Sequence, residues 1–261
     1  MKKVIAYGLL LVGLITVGST FYGLTRRSPS QKGGTLQLPS FLSVQNEREL
    51  SGEIVEVRKE LSPFSQVSIP GAGRVVFRKG DAWAVTIRAD KNVIDSLDTR
   101  VEGRTLVLGQ QKNFLFLKNA PIEYSITIAD HLEKISIAGM ADVRGDSTLE
   151  GPSFLLELAG SGTVSLPVNV EELQLKVLGS GTVEISGTVE KLEYQLLGRG
   201  TLKAHNLTGK EGNISVLGAG NSDLGVFEEL DITIAGSGTI TYSGNPRIKS
   251  RIPGTGTIRS R

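Results

Sequence analysis

The chain has 261 residues, in which 29 lysines and arginines and 27 aspartates and glutamates give a formal net charge of +2. This near-neutral balance gives no general affinity for nucleic acid. The absence of cysteine excludes disulfides, thiolate metal sites, a cysteine nucleophile and a lipid-modified N-terminal cysteine. The 32 glycines and the aromatic content of 5% favour an all-β chain with many tight turns.

The first element in chain order is an apolar segment. Residues 4–24 are uncharged, rich in Leu, Ile, Val and Gly, and long enough to span a bilayer as a helix. Two interpretations of residues 1–27 stay open: a secretory signal peptide cleaved near residues 17–19, or an uncleaved signal anchor. The length of the run and the two arginines directly after it favour the anchor. We therefore expect an exported chain, either anchored and facing the periplasm or cell exterior, or secreted or periplasmic after cleavage.

The next region combines a linker with diverged strands. Residues 28–61 begin with the breaker-rich S-P-S-Q-K-G-G, and their Val/Glu alternation at 54–57 predicts edge strands. Alternating segments at 83–89, 105–108 and 124–129 predict further strands, and residues 91–97 predict one short helical turn.

From residue 137 onward one short motif recurs seven times. An apolar residue, one further residue and a glycine lead into a polar turn, as in V-L-G-S-G-T at 177–182. The first glycines are 18 to 21 residues apart, a period typical of a solenoid. We expect these glycines to adopt backbone conformations that other residues avoid. With the diverged I-P-G-A-G copy at 69–73, the predicted structural turn glycines are Gly71, Gly139, Gly160, Gly179, Gly198, Gly218, Gly236 and Gly254.

Each repeat predicts one coil. Leu173, Leu175 and Val177 alternate with polar residues, the pattern of a half-buried strand, and neighbouring repeats align with them. Stacked coils then place apolar columns inside. A threonine recurs at one position after the turn, with Asn221 in the remaining slot, and predicts a threonine column suited to strand packing. The predicted fold class is an all-β, single-chain, parallel β-helix-like β-solenoid with coils of about 18–21 residues, preceded by an N-terminal hydrophobic helix.

The order of elements in residues 62–245 resembles a known family. The resemblance is carried by V-S-I-P-G at 67–71, W-A-V-T-I at 83–87, V-E-G-R-T-L-V-L at 101–108 and the serial A-G-S-G-T turns. This pattern is similar to the family described as "putative auto-transporter adhesin, head GIN domain". The resemblance implies an export signal followed by a β-solenoid, and it carries over no catalytic or binding residue. Residues 246–261 are then a basic C-terminal coil or cap.

The residues offer no constellation for catalysis. His131 and His205 lie three repeats apart, roughly 14 Å at about 4.8 Å per coil, too far to share a zinc ion. The turns carry threonine where calcium-binding repeats need aspartate, and the G-S-G segments lack the continuation of a phosphate loop. We expect no metal, no cofactor and no enzymatic activity.

The C-terminal coil combines five cations with no acid. It is either a solvated cap over the open end of the solenoid, or a contact surface for anionic envelope glycans, lipid headgroups or a protein partner. The five candidate residues are Arg247, Lys249, Arg251, Arg259 and Arg261.

Together these observations predict a non-enzymatic, extracytoplasmic β-solenoid that presents a rigid surface for adhesion or envelope interaction. The expected partner is an envelope or surface glycan or protein, with the membrane reached through residues 4–24. Two alternatives stay open: a carbohydrate-active enzyme on a β-helix, and a purely structural envelope protein.

Overall fold

The computed structural model describes residues 50–110 and 120–261, which are mostly β-strand. Within these ranges no helix is long and apolar enough to cross a membrane. The predicted hydrophobic helix at 4–24 and residues 28–49 of the predicted linker region 28–61 lie outside the described residues.

The N-terminal elements are β1 (Ile54–Glu60), β2 (Gln66–Ile69), β3 (Ala72–Lys79), β4 (Ala84–Asp90), α1 (Lys91–Ile94), β5 (Leu97–Glu102), β6 (Thr105–Gln110) and β7 (Ile122–Ile128). The later strands are β8 (Lys134–Ile137), β9 (Met140–Gly145), β10 (Leu149–Leu158), β11 (Thr163–Gly179), β12 (Thr182–Gly198), β13 (Thr201–Gly218), β14 (Asn221–Ile234), β15 (Thr239–Ser243), β16 (Arg247–Arg251) and β17 (Thr257–Ser260).

The strands stack in parallel as a β-solenoid of about seven turns. β11 pairs with β12 along nearly its whole length, with Leu175 beside Tyr194, and β13 and β14 continue the stack with Ile214 and Ile232 at the same position. Bulges in β12 to β14 absorb the small differences in coil length. The predicted β-solenoid, with one coil per repeat, is confirmed.

The core follows the alternation in the sequence. Leu173, Leu175 and Val177 are fully buried, whereas Gln174 and Lys176 between them are partly exposed. Each coil repeats this pattern, so apolar columns fill the solenoid from end to end. Burial of apolar surface on every coil stabilises the stack, at about 25 cal/mol per Å² removed from water.

Residues 84–110 depart from the repeat and cover the N-terminal end. β2 and β3 form the first coil, with β8 and β9 on one side and β6 and β7 on the other. β4 then pairs antiparallel with β7 and with β1, and β5 pairs antiparallel with β6. Gly103, with a φ of 60°, allows the two-residue hairpin between β5 and β6. The predicted edge strand near 54–57 and helical turn near 91–97 are therefore present as β1 and α1.

The turn glycines form one continuous column along a corner of the solenoid. A Cβ on Gly179 would overlap the carbonyl oxygen of Gly160. In the same way, a Cβ on any column glycine that follows Gly71 in the chain would overlap the carbonyl oxygen of the column glycine in the preceding coil. The expectation that these glycines adopt a backbone conformation that other residues avoid is wrong at seven of the eight positions. Only Gly198 has a left-handed φ, of 137°. Glycine is required here because the coils approach too closely to admit a side chain.

Asp90, at the end of β4, binds the residues that lead into β1. Its carboxylate accepts hydrogen bonds from the backbone N–H groups of Asn92, Ser51 and Gly52, and from the Ser51 hydroxyl. Desolvation raises the pKa of Asp90, but these donors together outweigh it and hold the pKa below its ordinary value of 3.8.

Asp90→Ala should therefore loosen the start of β1, because the N–H groups of Ser51 and Gly52 just before the strand lose their acceptor while the pairing with β4 remains. We expect faster amide hydrogen exchange in β1 and unchanged exchange in β12. Since the pKa of Asp90 is depressed in the fold, the same protection is complete above its ordinary value and is lost as pH falls through the lower folded pKa. Equal protection of β1 in the wild-type chain and the variant would contradict this role.

Two buried tyrosines predict a loss of stability in alkali. Burial raises the pKa of Tyr124 and of Tyr194 to about 12, from an ordinary value of 10.0. The neutral phenols are retained in the fold, so their contribution is complete below pH 10.0 and falls as pH rises toward 12. We expect each to account for roughly 2 kcal/mol of lost unfolding free energy, measured by denaturant titration across this window. The double variant Tyr124→Phe, Tyr194→Phe should lack this loss.

Candidate interaction surface

One outward face carries a patch of polar side chains. Glu193 lies beside Asn213, which lies beside Asp231, and Gln195, Ser215 and Thr233 form the adjacent column. They face outward because they alternate with the buried Tyr194, Ile214 and Ile232. Together they line a shallow, open depression of about 160 Å³. We call these six residues the polar face: Glu193, Gln195, Asn213, Ser215, Asp231 and Thr233.

The polar face presents carboxylate, amide and hydroxyl groups at regular spacings. Gln195 Nε2 donates a hydrogen bond to Glu193 Oε1 at 3.0 Å, which orients both side chains. Adjacent coils repeat about every 4.8 Å, so donors and acceptors recur at that spacing. Such a face suits hydrogen bonding to a polar ligand.

The C-terminal cations divide into paired and unpaired groups. Lys249 Nζ lies 2.7 Å from Glu229 Oε1, and an Arg247 nitrogen lies 3.4 Å from Glu229 Oε2. The hydrogen bond from Lys249 is the main reason that the pKa of Glu229 lies below its ordinary range. Arg261 pairs with Asp223 on an earlier coil. Three of the five cations thus tie the last coil to the stack, whereas Arg251 and Arg259 form no ion pair with any described residue.

The threonine column is present as predicted. Thr163, Thr182 and Thr201 lie side by side, followed by Asn221 and then by Thr239 and Thr257. These residues are partly or fully exposed on a different face from the polar face. Their regular register supports a role in strand packing.

The two histidines stay apart. His131 Nδ1 lies 3.1 Å from Asp130 Oδ1, and His205 Nδ1 lies 3.6 Å from Asp223 Oδ2. In the described ranges no three His, Asp or Glu residues are grouped as a metal site.

Sequence analysis missed an exposed row of leucines. Leu178, Leu197 and Leu217 lie side by side on consecutive coils, next to the glycine column, and are 47%, 43% and 48% exposed. The signal was present in the repeat: two apolar residues in succession, such as Val177 and Leu178, break the alternation and turn the second one outward.

Comparison with known proteins identifies the family. A family model described as "Putative auto-transporter adhesin, head GIN domain" matches residues 63–246. The chain belongs to this family. The resemblance seen in the motifs of residues 62–245 is thereby confirmed. Among curated proteins, none matches the chain.

Solved structures share the fold of this head GIN domain chain. A "putative adhesin" from Bacteroides fragilis has a TM-score of 0.75 at 23% identity, over 81% of this chain and 98% of its own. A "putative lipid binding protein" from Parabacteroides distasonis has a TM-score of 0.64 at 20% identity, over 81% and 98%. A "putative adhesin" from Parabacteroides merdae has a TM-score of 0.58 at 19% identity, over 81% and 97%. At these identities the likeness concerns the fold alone.

Proposed function

We propose that this chain is a non-enzymatic, extracytoplasmic β-solenoid that binds an envelope or surface glycan or protein through its polar face. The observation that carries the proposal is the depression of about 160 Å³ lined by outward side chains of three consecutive coils. The expected export segment at 4–24 and the adhesin descriptions of structural neighbours support a location at the cell envelope.

The polar face is suited to a ligand rich in hydroxyl or amide groups. Glu193 and Asp231 accept hydrogen bonds, Ser215 and Thr233 donate or accept, and the amides of Asn213 and Gln195 do both. Because parallel strands on both sides hold each backbone position, little ordering free energy is lost on binding. Arg251 and Arg259 add two cations for anionic groups on the same ligand or its neighbours.

The test is binding of the full-length chain to an array of envelope glycans and surface proteins. The variant Glu193→Gln, Asn213→Ala, Asp231→Asn should bind at least about tenfold more weakly, because hydrogen bonds to charged groups contribute about 1.5–3 kcal/mol. Asn221→Ala, on the threonine column, is the matched control and should bind like wild type. Equal binding by the triple variant would overturn the role of the polar face.

A carbohydrate-active enzyme is the second candidate. Glu193 and Asp231 occupy one column on either side of Asn213, which places them two coils, or roughly 10 Å, apart. Inverting glycosidases separate their carboxyl groups by about 6.5–9.5 Å, so the backbone spacing of this pair lies just beyond that range. Turnover of a glycan that Glu193→Gln abolishes would replace the binding proposal with this one.

A further inference from the structure

The corner that carries the glycine column also carries an unbroken row of exposed apolar side chains. The residue before each column glycine is apolar on every coil, and each is exposed. We call this row the apolar corner: Pro70, Ala138, Ala159, Leu178, Leu197, Leu217, Ala235 and Pro253. Eight positions at about 4.8 Å per coil extend over roughly 34 Å. Single exposed apolar residues are ordinary on protein surfaces, but a contiguous row is typical of an interaction site.

The flanks of the apolar corner are mostly uncharged, with three cations, Lys176, Arg199 and Arg251, and one acid, Glu157. On one flank, the residues that follow the column glycines from Gly160 to Gly254 include no carboxylate. They are Ser161, Ser180, Arg199, Ala219, Ser237 and Thr255. On the other flank the column from Ser136 to Arg251 includes one acid, Glu157, which pairs with Lys134 and Lys176.

Acidic side chains gather at a different corner. It is the turn that comes directly before the strand segment leading to the column glycine of each coil. Its three cations, Lys191, Lys210 and Arg247, are outnumbered by the acids of the same corner. These acids are Glu171, Glu172, Glu190, Glu211, Glu228 and Glu229. The charge therefore differs around the solenoid axis, with a small excess of cations beside the apolar corner and an excess of acids at the other corner.

We propose that the apolar corner lies along the surface of a lipid bilayer with anionic headgroups. The leucines of the row are 43–48% exposed, so a deformable interface can surround them, and Lys176 and Arg199 lie on the same coils as Leu178 and Leu197. Membrane-surface elements combine apolar burial with attraction between cations and anionic lipids in this way. The contact borders the polar face, because Gln195, Ser215 and Thr233 stand in the outward column that lies two residues before the apolar corner.

The test uses full-length chains with one added cysteine, which is unique because the natural chain has none. Leu197→Cys and Val226→Cys are matched, since both positions are aliphatic and the side chains are 43% and 49% exposed, but Val226 lies away from the apolar corner. Each variant is labelled with the environment-sensitive fluorophore NBD and mixed with vesicles of phosphatidylcholine and phosphatidylglycerol.

We expect a blue shift at position 197 with quenching by lipids brominated in the acyl chain, and no shift at 226. A tether through residues 4–24 alone would leave both labels in water. No shift at 197, or equal shifts at both positions, would overturn the proposal. So would a shift at 197 that appears without vesicles and grows with protein concentration, which would assign the corner to a second copy of the chain. An equal shift on vesicles of phosphatidylcholine alone would overturn the role of the cations.

Discussion

Gly179→Ala should lower the free energy of unfolding by about 3 kcal/mol, at the upper end of the cost of overfilling a packed site. The added Cβ would overlap the carbonyl oxygen of Gly160, which belongs to the backbone of a neighbouring strand and cannot move by a change of rotamer. The coils must therefore separate at this corner, which weakens hydrogen bonds such as that from Ser180 N–H to the Gly160 carbonyl.

Gly71→Ala is the matched control because Gly71 ends the same column. No described residue lies within 4 Å of a Cβ built there, and its φ is outside the left-handed region. We expect no loss, or a gain of up to about 1 kcal/mol from the stiffer unfolded chain. Denaturant titration followed by the single tryptophan, Trp83, which packs against Phe64, measures both variants. Equal effects at the two positions would contradict the steric account of the column.

Tyr194→Ala should cost about 3–5 kcal/mol, as expected for the loss of a large buried aromatic side chain. Tyr194 is fully buried and lies between Leu175 and Ile214 of the adjoining coils, so its removal leaves a cavity in the centre of the solenoid.

Tyr194→Phe separates packing from the hydroxyl. Tyr194 Oη and Ser222 Oγ are both buried without a hydrogen-bond partner among the described residues, although the Ser222 hydroxyl is near enough to oppose slightly the rise in the pKa of Tyr194. Because Ser222 is the one described side chain that acts on this hydroxyl, removing the hydroxyl should change stability by less than about 1 kcal/mol, or raise it. A loss in Tyr194→Phe as large as in Tyr194→Ala would show that the hydroxyl, rather than the ring, stabilises this part of the core.

The repeating part of the fold is readable from the sequence because each coil obeys the same local rule. Leu173, Leu175 and Val177 alternate with polar residues, which excludes a slip of one residue, and alignment of the turn glycines Gly179 and Gly198 then specifies the register. The same rule places Asn213 beside Asp231 before any coordinates are known.

The rest depends on contacts that no single repeat contains. β4 lies between β1 and β7 in an antiparallel arrangement, and the alternation in its sequence does not name either partner. The role of Gly179 likewise depends on the distance between coils, since its own backbone conformation is open to other residues. The polar face is a surface made from three separate repeats, so it becomes visible only when Glu193, Asn213 and Asp231 are placed side by side.

The proposed surface binds its ligand without chemically converting it. The most direct test is to recover the ligand after saturation. Each glycan or protein retained by the full-length chain is titrated to saturation, released, and compared in mass with the starting material. We predict saturable binding, an unchanged ligand, and loss of binding in Glu193→Gln, Asn213→Ala, Asp231→Asn but not in Asn221→Ala. A ligand that is cleaved or modified, or that binds the triple variant as tightly as wild type, would contradict the account.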